Sequence, residues 1–378
     1  MIYVTVKQSP KYHQLTLEEY MFGNPQPSLI SMNQACTRTY IVNTPSKALL
    51  ERYNFDQLIA QLEQFNLLTY GLRMVDRHTL YRSFKIPKKK GGFRQIDAPN
   101  DLLMGFLRTL KSILENDFGA LYHTSAFAYI KGRCTLDSIK RHQKNSSRWF
   151  AKYDFSNFFG STTKGFVMQM LSMIFPFSEV MKTERGRTAL DNALDLAFLD
   201  GVLPQGTPIS PLLTNLMMIP VDHALYNKFR DFDKSQFVYT RYADDILVSS
   251  KYNFDFRKIE SEINYVLHGF RAPFKIKKEK TRYGSSAGSN WNLGVMLNKD
   301  NNITIGSKKK RQFAAMITNY ILDSLHGKPW PKNDIMVLDG YRNYYMMVEP
   351  ERINQIITRI SRKFGVNVNK MLKNDLRC

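Results

Sequence analysis

The chain has 378 residues and carries 54 Lys plus Arg against 33 Asp plus Glu, a formal charge of +21. That length suits two or three packed subdomains, and a hydrophobic share of 43% supports a sizeable core and excludes disorder. The charge points to a polyanionic partner, nucleic acid ahead of a membrane surface, because no lipidation signature and no bilayer-spanning apolar run is present.

In chain order, the N-terminal MIYVTVKQSPKY lacks the basic-then-apolar pattern of a signal peptide, so none is expected. Residues 54–68 repeat Phe55, Leu58, Ile59, Leu62 and Phe65 at helical spacing, which predicts a core-packing amphipathic helix capped by Asn54. Residues 81–99 predict a hairpin, since RSFKI and FRQID flank Lys88-Lys89-Lys90-Gly91-Gly92, with Arg94 just beyond. Those cations either close over a triphosphate or nucleic-acid backbone or form a solvated charge run. Residues 101–118 predict a helix with Leu103, Phe106, Leu110 and Ile113 on one face. In AFAYIKGR, residues 126–133, Gly132 permits close backbone approach and Lys131 and Arg133 are candidate phosphate contacts. The strand WFAKYD then ends on Asp154, before a helix capped from Ser161-Thr162-Thr163. An acid at a strand-to-helix junction is a common metal-ligand position and equally a turn residue.

Residues 203–215, LPQGTPISPLLTN, form a rigid loop that ends in a helix near Ser210. Gly206 lets backbone lie against a flat ligand such as a base pair, or the loop is an ordinary connector. Residues 237–250, FVYTRYADDILVSS, read as two strands joined by a tight turn that carries Asp244 and Asp245. Two adjacent carboxylates in an apolar hairpin are costly unless a cation meets them, whereas on a surface turn they are cheap. Residues 256–268 predict a helix, and residues 274–277 a half-buried strand with a basic face, extended by Lys278, Lys280 and Arg282. Residues 290–297 read as a strand or hairpin. Ser307 is expected to cap a helix whose first turn holds Lys308, Lys309, Lys310 and Arg311. Cations at that end oppose the helix dipole, so a docked anion is favoured over a solvated face. A last helix over 350–364 is apolar on one side and basic on the other. Cys36, Cys134 and Cys378 are far apart without CxxC spacing, which argues against a disulfide framework or zinc site and fits a reducing cytoplasm.

The order of these motifs, with PQGTPISP and YADD at this spacing, resembles reverse transcriptases of the bacterial branch that includes group II intron, retron and defence-associated enzymes. The similarity spans about residues 81–365. It implies an α+β right-hand polymerase: an N-terminal extension over 1–80, fingers and palm over 81–300 with a ferredoxin-like antiparallel sheet, and a helical thumb over 301–378. Asp154, Asp244 and Asp245 would be the catalytic, metal-binding aspartates, holding two Mg²⁺ for which Mn²⁺ can substitute. Lys88, Lys90, Arg94, Phe155, Phe159, Gln205 and Lys280 would meet the incoming nucleotide. Of these, Phe159 would exclude a 2′-hydroxyl and Lys280 would act as general acid. Gly206, Tyr242, Leu293, Gly294 and Lys308 to Lys310 would meet template and primer.

Within that branch, retrons carry Asn-Ala-x-x-His where this chain has Ser138, Ile139 and His142, and Val-Thr-Gly where it has Asn292-Leu293-Gly294. Diversity-generating enzymes have Ser-Gln where it has Ser210-Pro211. Group II intron proteins usually continue into further domains. The pattern is most similar to the unknown-group enzymes, many of them antiphage, with the retron and diversity-generating subtypes behind. The resemblance implies a bacterial cytoplasmic enzyme that copies RNA, a dedicated non-coding RNA among the candidates, into DNA from dNTPs. A protein partner or homo-oligomer is compatible with it, and a membrane is not expected. The alternatives are template-independent or protein-primed synthesis by the same site, and a non-catalytic RNA-binding protein. The intact aspartate triad argues against the last.

Overall fold

The computed structural model describes residues 54–88, 91–115, 122–231, 237–286, 291 and 294–377, together with the backbone of strands β1 (Thr5–Gln8) and β2 (Lys11–Gln14). Helix α1 (Phe55–Leu68) starts as its sequence requires. Asn54 Oδ1 accepts from the Gln57 amide at 2.9 Å, and Leu58, Ile59, Leu62 and Phe65 are buried. A hairpin follows, β3 (Tyr81–Pro87) and β4 (Phe93–Pro99), most of it exposed. Helices α2 (Asp101–Glu115) and α3 (Thr135–Lys144) lead to strand β5 (Trp149–Asp154). Then come α4 (Lys164–Leu171), α5 (Phe177–Val180), α6 (Glu184–Asp195), α7 (Ser210–Met217) and α8 (Ile219–Asp231). The hairpin β6 (Val238–Tyr242) and β7 (Asp245–Ser250) precedes α9 (Phe256–Gly269) and β8 (Arg282–Ser285).

Strands β6, β7, β5 and β8 form one antiparallel sheet in that spatial order. Period-two alternation divides its residues. Ala151, Tyr153, Tyr239, Ile246 and Val248 face a core shared with residues of α1, α2, α4 and α6 to α9. Phe150 and Leu247 face the other way, into a second core with Ile139 of α3. Burying each such large apolar side chain stabilises by about 1.5–3 kcal/mol. Among the described residues the two-sided sheet is thus sealed on one face, and on the other its apolar cover lies at the end far from the β6–β7 turn.

The second core continues into the C-terminal part. A short pair, β9 (Met296–Leu297) with β10 (Ile303–Thr304), precedes α10 (Ser307–Leu325), α11 (Lys332–Val348), α12 (Pro350–Phe364) and α13 (Val368–Arg377). Phe313, Ile317, Leu338, Ile353, Ile357 and Ile360 hold the helices together. The expected Ser307 cap is corrected. Gly306 occupies the N-cap with φ 86°, a left-handed value that favours glycine, and no side chain caps the helix. Among the described residues no helix is long and apolar enough to cross a membrane. Cys134 is a free thiol, and Cys36 and Cys378 lie outside the described residues.

Candidate active site

The β6–β7 turn is as tight as its sequence predicts. Tyr242 pairs with Asp245, leaving Ala243 and Asp244 as the two central residues. Ala243 has φ 55°, a left-handed conformation that costs a residue with a Cβ on the order of 1 kcal/mol. Two donors fix the turn. The Arg241 guanidinium gives Nη1 to the Ala243 carbonyl at 3.1 Å, and the Phe155 amide donates to the Asp244 carbonyl at 3.1 Å.

The β5–β7 register sets Asp154 directly opposite Asp245, on the sheet face away from the helical core. Each carboxylate meets an ammonium. Lys280 Nζ donates to Asp154 Oδ1 at 2.6 Å, and Lys152 Nζ donates to Asp245 Oδ2 at 2.6 Å. Lys280 is brought there by residues 275–277 running beside the end of β5, where the Lys277 amide donates to the Asp154 carbonyl at 2.8 Å. Burial, reinforced by the charges of Asp245 and Asp154, pushes the Asp244 carboxyl up to about 6. Burial also raises Asp245, against the lowering pull of Lys152. Lys152 is absent from the sequence-based site. Its spacing of two from Asp154 along a strand was the available signal, since that spacing puts both on one face.

Three neighbouring carboxylates are the donor set that hard divalent cations prefer. Among the described residues no three acidic or imidazole groups already converge as a ligand cluster. The Lys152 and Lys280 ammonium groups lie against two of the three aspartates, so the cluster is charge-compensated by side chains that are themselves partly exposed. The residues fit a divalent-cation site in which those ammonium groups give way.

Other expected site residues fall into three groups. Arg94 is exposed on β4, opposite Ile86 in the register. Nearby, the Tyr129 hydroxyl is raised by burial and by the charges of Asp244 and Tyr242, against a lowering pull from Arg94. Tyr129 was missed by the sequence reading, yet it has φ 58° and a half-exposed ring. Lys88 is exposed at the hairpin tip, Tyr242 is half-buried on the acidic face, and Phe159 is half-buried with its ring edge-on to Phe158. Lys90 and Leu293 lie outside the described residues.

A second group is reassigned. Phe155 is 2% exposed and stacks on Phe158 and Phe274 in the core, so its ring does not reach a nucleotide. Alternation explains this, because the residue after Asp154 points to the opposite face. The loop at Gln205 and Gly206 packs on β4, with the Asp97 amide donating to the Gln205 carbonyl at 2.7 Å. Gly206 has φ 124°, and a Cβ there would come within 2.9 Å of the Asp97 carbonyl oxygen. Contact with that strand is enough to require glycine here. In the third group, Lys309 Nζ donates to the Gly294 carbonyl at 2.9 Å and Lys310 pairs with Glu349 at 2.7 Å. Of the three expected template or primer lysines, Lys308 alone is exposed. A groove of about 430 Å³ between α10 and α12 is lined by Lys310, Arg311, Arg352 and Arg359.

A four-stranded antiparallel sheet with three acids at one end, a flanking hairpin and a C-terminal helical unit defines a right-hand nucleotidyl-transfer polymerase. Residues 86–313 match the family described as "Reverse transcriptase (RNA-dependent DNA polymerase)", and the chain belongs to that family. It is 26% identical over 308 residues to the Retron Ec83 reverse transcriptase of Escherichia coli, covering 78% of this chain and 90% of that one. It is 27% identical over 295 residues to the Retron Ec73 reverse transcriptase of the same organism, covering 75% and 86%. Among solved structures, a telomerase from Candida albicans with a TWJ fragment of telomeric RNA is similar at TM-score 0.45 and 11% identity, over 77% of this chain and 63% of that one. The enzyme is an RNA-directed DNA polymerase of the bacterial retron and group II intron-like branch. Both of these relatives are retron enzymes, so the retron side of the branch stands beside the unknown-group expectation drawn from Ser138, Ile139 and residues 292–294.

Proposed function

We propose that the enzyme extends a primer by deoxynucleotide addition at Asp154, Asp244 and Asp245, which would hold two Mg²⁺, with Mn²⁺ able to substitute. Bound there, the ions would activate the primer hydroxyl and stabilise the charge on the leaving pyrophosphate. The observation that carries this reading is the register: Asp154 opposite Asp245, with Asp244 at the adjoining turn, raised by burial and then by their charge. Lys280 Nζ, already against Asp154, would swing to the triphosphate and give a proton to the leaving group. Arg94 and Lys88 would neutralise the triphosphate from the fingers, and Phe159 would meet the sugar. Domain limits of 81–300 for fingers and palm and 301–378 for the thumb remain our reading. Helix α1 of the N-terminal extension packs on that palm core through α6.

The template is RNA, and a dedicated structured RNA is the partner that the excess of +21 and the basic α10–α12 groove would suit. A role in antiphage defence in a bacterial cytoplasm follows from the branch to which the motifs are most similar. The test is primer extension on poly(rA)·oligo(dT) with a no-template control and the Asp244→Ala variant alongside. Template-dependent incorporation that the variant lacks is expected. Incorporation without template would replace this reading with terminal or protein-primed synthesis.

A further inference from the structure

We infer that Arg241, Asp222 and Asn215 form a buried positioning network that holds the catalytic turn in its strained conformation. The inference rests on the assignment of Asp244 to catalysis. Alternation turns Arg241 away from the cleft, into the helical core, where its side chain and that of Asp222 are both fully buried. The contact is bidentate: Nε donates to Asp222 Oδ1 at 2.8 Å and Nη2 to Oδ2 at 2.7 Å. Tyr239 donates its hydroxyl to Oδ1 at 2.6 Å. The remaining edge of the guanidinium is spent elsewhere. Nη1 donates to Asn215 Oδ1 at 3.3 Å and to the Ala243 carbonyl at 3.1 Å.

Stability alone does not account for this arrangement. A buried ion pair replaced by apolar side chains of similar volume is often neutral or stabilising. Apolar packing cannot supply a donor to the Ala243 carbonyl, and that carbonyl belongs to the residue whose φ of 55° aims Asp244. The network also reaches the other strained residue of the cleft. Asn215 Nδ2 donates to the Ala128 carbonyl at 2.6 Å, immediately before Tyr129 with φ 58°. Backbone bonds close the circuit, with the Arg241 amide donating to the Ser125 carbonyl at 2.7 Å and the Phe127 amide to the Arg241 carbonyl at 3.0 Å. One guanidinium therefore ties the two left-handed residues beside Asp244 to a single rigid point. Strain of this kind persists only where surrounding structure over-determines it.

The experiment compares the full-length wild type with the Asp222→Leu/Arg241→Met pair in primer extension and thermal unfolding. The pair is expected to fold but unfold below the wild-type temperature, because the Tyr239 hydroxyl and Asn215 Oδ1 lose partners, to lose about a hundredfold in kcat and to keep its KM for deoxynucleotide. Adding Ala243→Gly is expected to restore about tenfold of that loss, because glycine takes a left-handed φ without support. A merely structural role would give no such rescue. A folded pair with wild-type kcat overturns the inference, as does a folded, slow pair that Ala243→Gly leaves unchanged. If the pair does not fold, Arg241→Lys keeps a cation on Asp222 and loses the fork that reaches Ala243. The same kcat loss and rescue are expected, and wild-type kcat in that variant overturns the inference. Asp244→Ala is assayed beside them. Activity surviving there sinks the site assignment itself, whereas its loss together with a wild-type double variant sinks only the network.

Discussion

The two faces of the palm sheet carry the same kind of contact with opposite consequences. On the core face, Arg241 and Asp222 are both 0% exposed and every charge is met by a fixed partner. On the cleft face, Lys152 and Asp245 are each 19% exposed, and Lys280 is 48% exposed against 11% for Asp154. A sealed guanidinium fork is a fastening. An ammonium on a flexible stem, open to water, is a counterion that can be exchanged. The comparison teaches that the burial and geometry of an ion pair decide its role more than its presence does.

The largest expected effect breaks the cleft face. Asp244→Ala or Asp245→Ala abolishes DNA synthesis with the fold intact, as read by primer extension beside a thermal melt; near wild-type incorporation would sink the assignment. The next sharpens the contrast between the faces. Arg241→Met alone strands a buried Asp222 carboxylate and should cost about 3–5 kcal/mol in denaturant unfolding. Lys280→Met, at an ammonium 48% exposed, should cost less than about 1 kcal/mol. Equal losses would erase the distinction. A smaller effect concerns the nucleotide. Phe159→Ala should admit ribonucleotides, and unchanged discrimination in a competition assay would remove Phe159 from the sugar site. In the thumb, Lys308→Gln should lower the salt slope of nucleic-acid binding by about one charge. No change in slope would return Lys308 to a solvated surface.

Acid should weaken the fold through buried imidazoles. His142 lies between Ser249 Oγ at 2.6 Å and Thr240 Oγ1 at 2.8 Å. Burial pushes His123 and His142 down to about 3 and His223 to about 4. An unfolded chain takes up those protons near pH 6.5, so between there and pH 4 the unfolded state binds more protons and stability falls with pH. Asp244, raised to about 6, and Asp245, also raised by burial, work the other way below about pH 6, but they are two groups against three. A melting temperature that rises as pH falls from 6.5 to 4 would contradict this balance.

Much of the site was legible because it is written in local spacing. YADD between two apolar strands predicts a two-residue turn, and the strand ending at Asp154 has only one acid to offer. Asn54 and the apolar residues at helical spacing after it mark α1 for the same reason. What was not legible depends on distant partners. Asp222 meets Arg241 only because α8 packs under β6, and nothing near either residue announces it. The Lys309 contact with Gly294 and the Lys310 pair with Glu349 likewise need the C-terminal helices in place. Phe155 is the instructive error: its family position suggested a nucleotide contact, while simple alternation from Asp154 already turned its ring into the core. Gly206 shows the same limit, since its required neighbour is a strand more than a hundred residues upstream.

The most direct test of the central claim is single-turnover extension of an RNA-templated primer by wild-type and Asp244→Ala enzyme at equal folded concentration. The account predicts rapid Mg²⁺-dependent nucleotide addition by the wild type and none by the variant. Addition by Asp244→Ala at a comparable rate would contradict it, and would move the chemistry away from the β6–β7 turn.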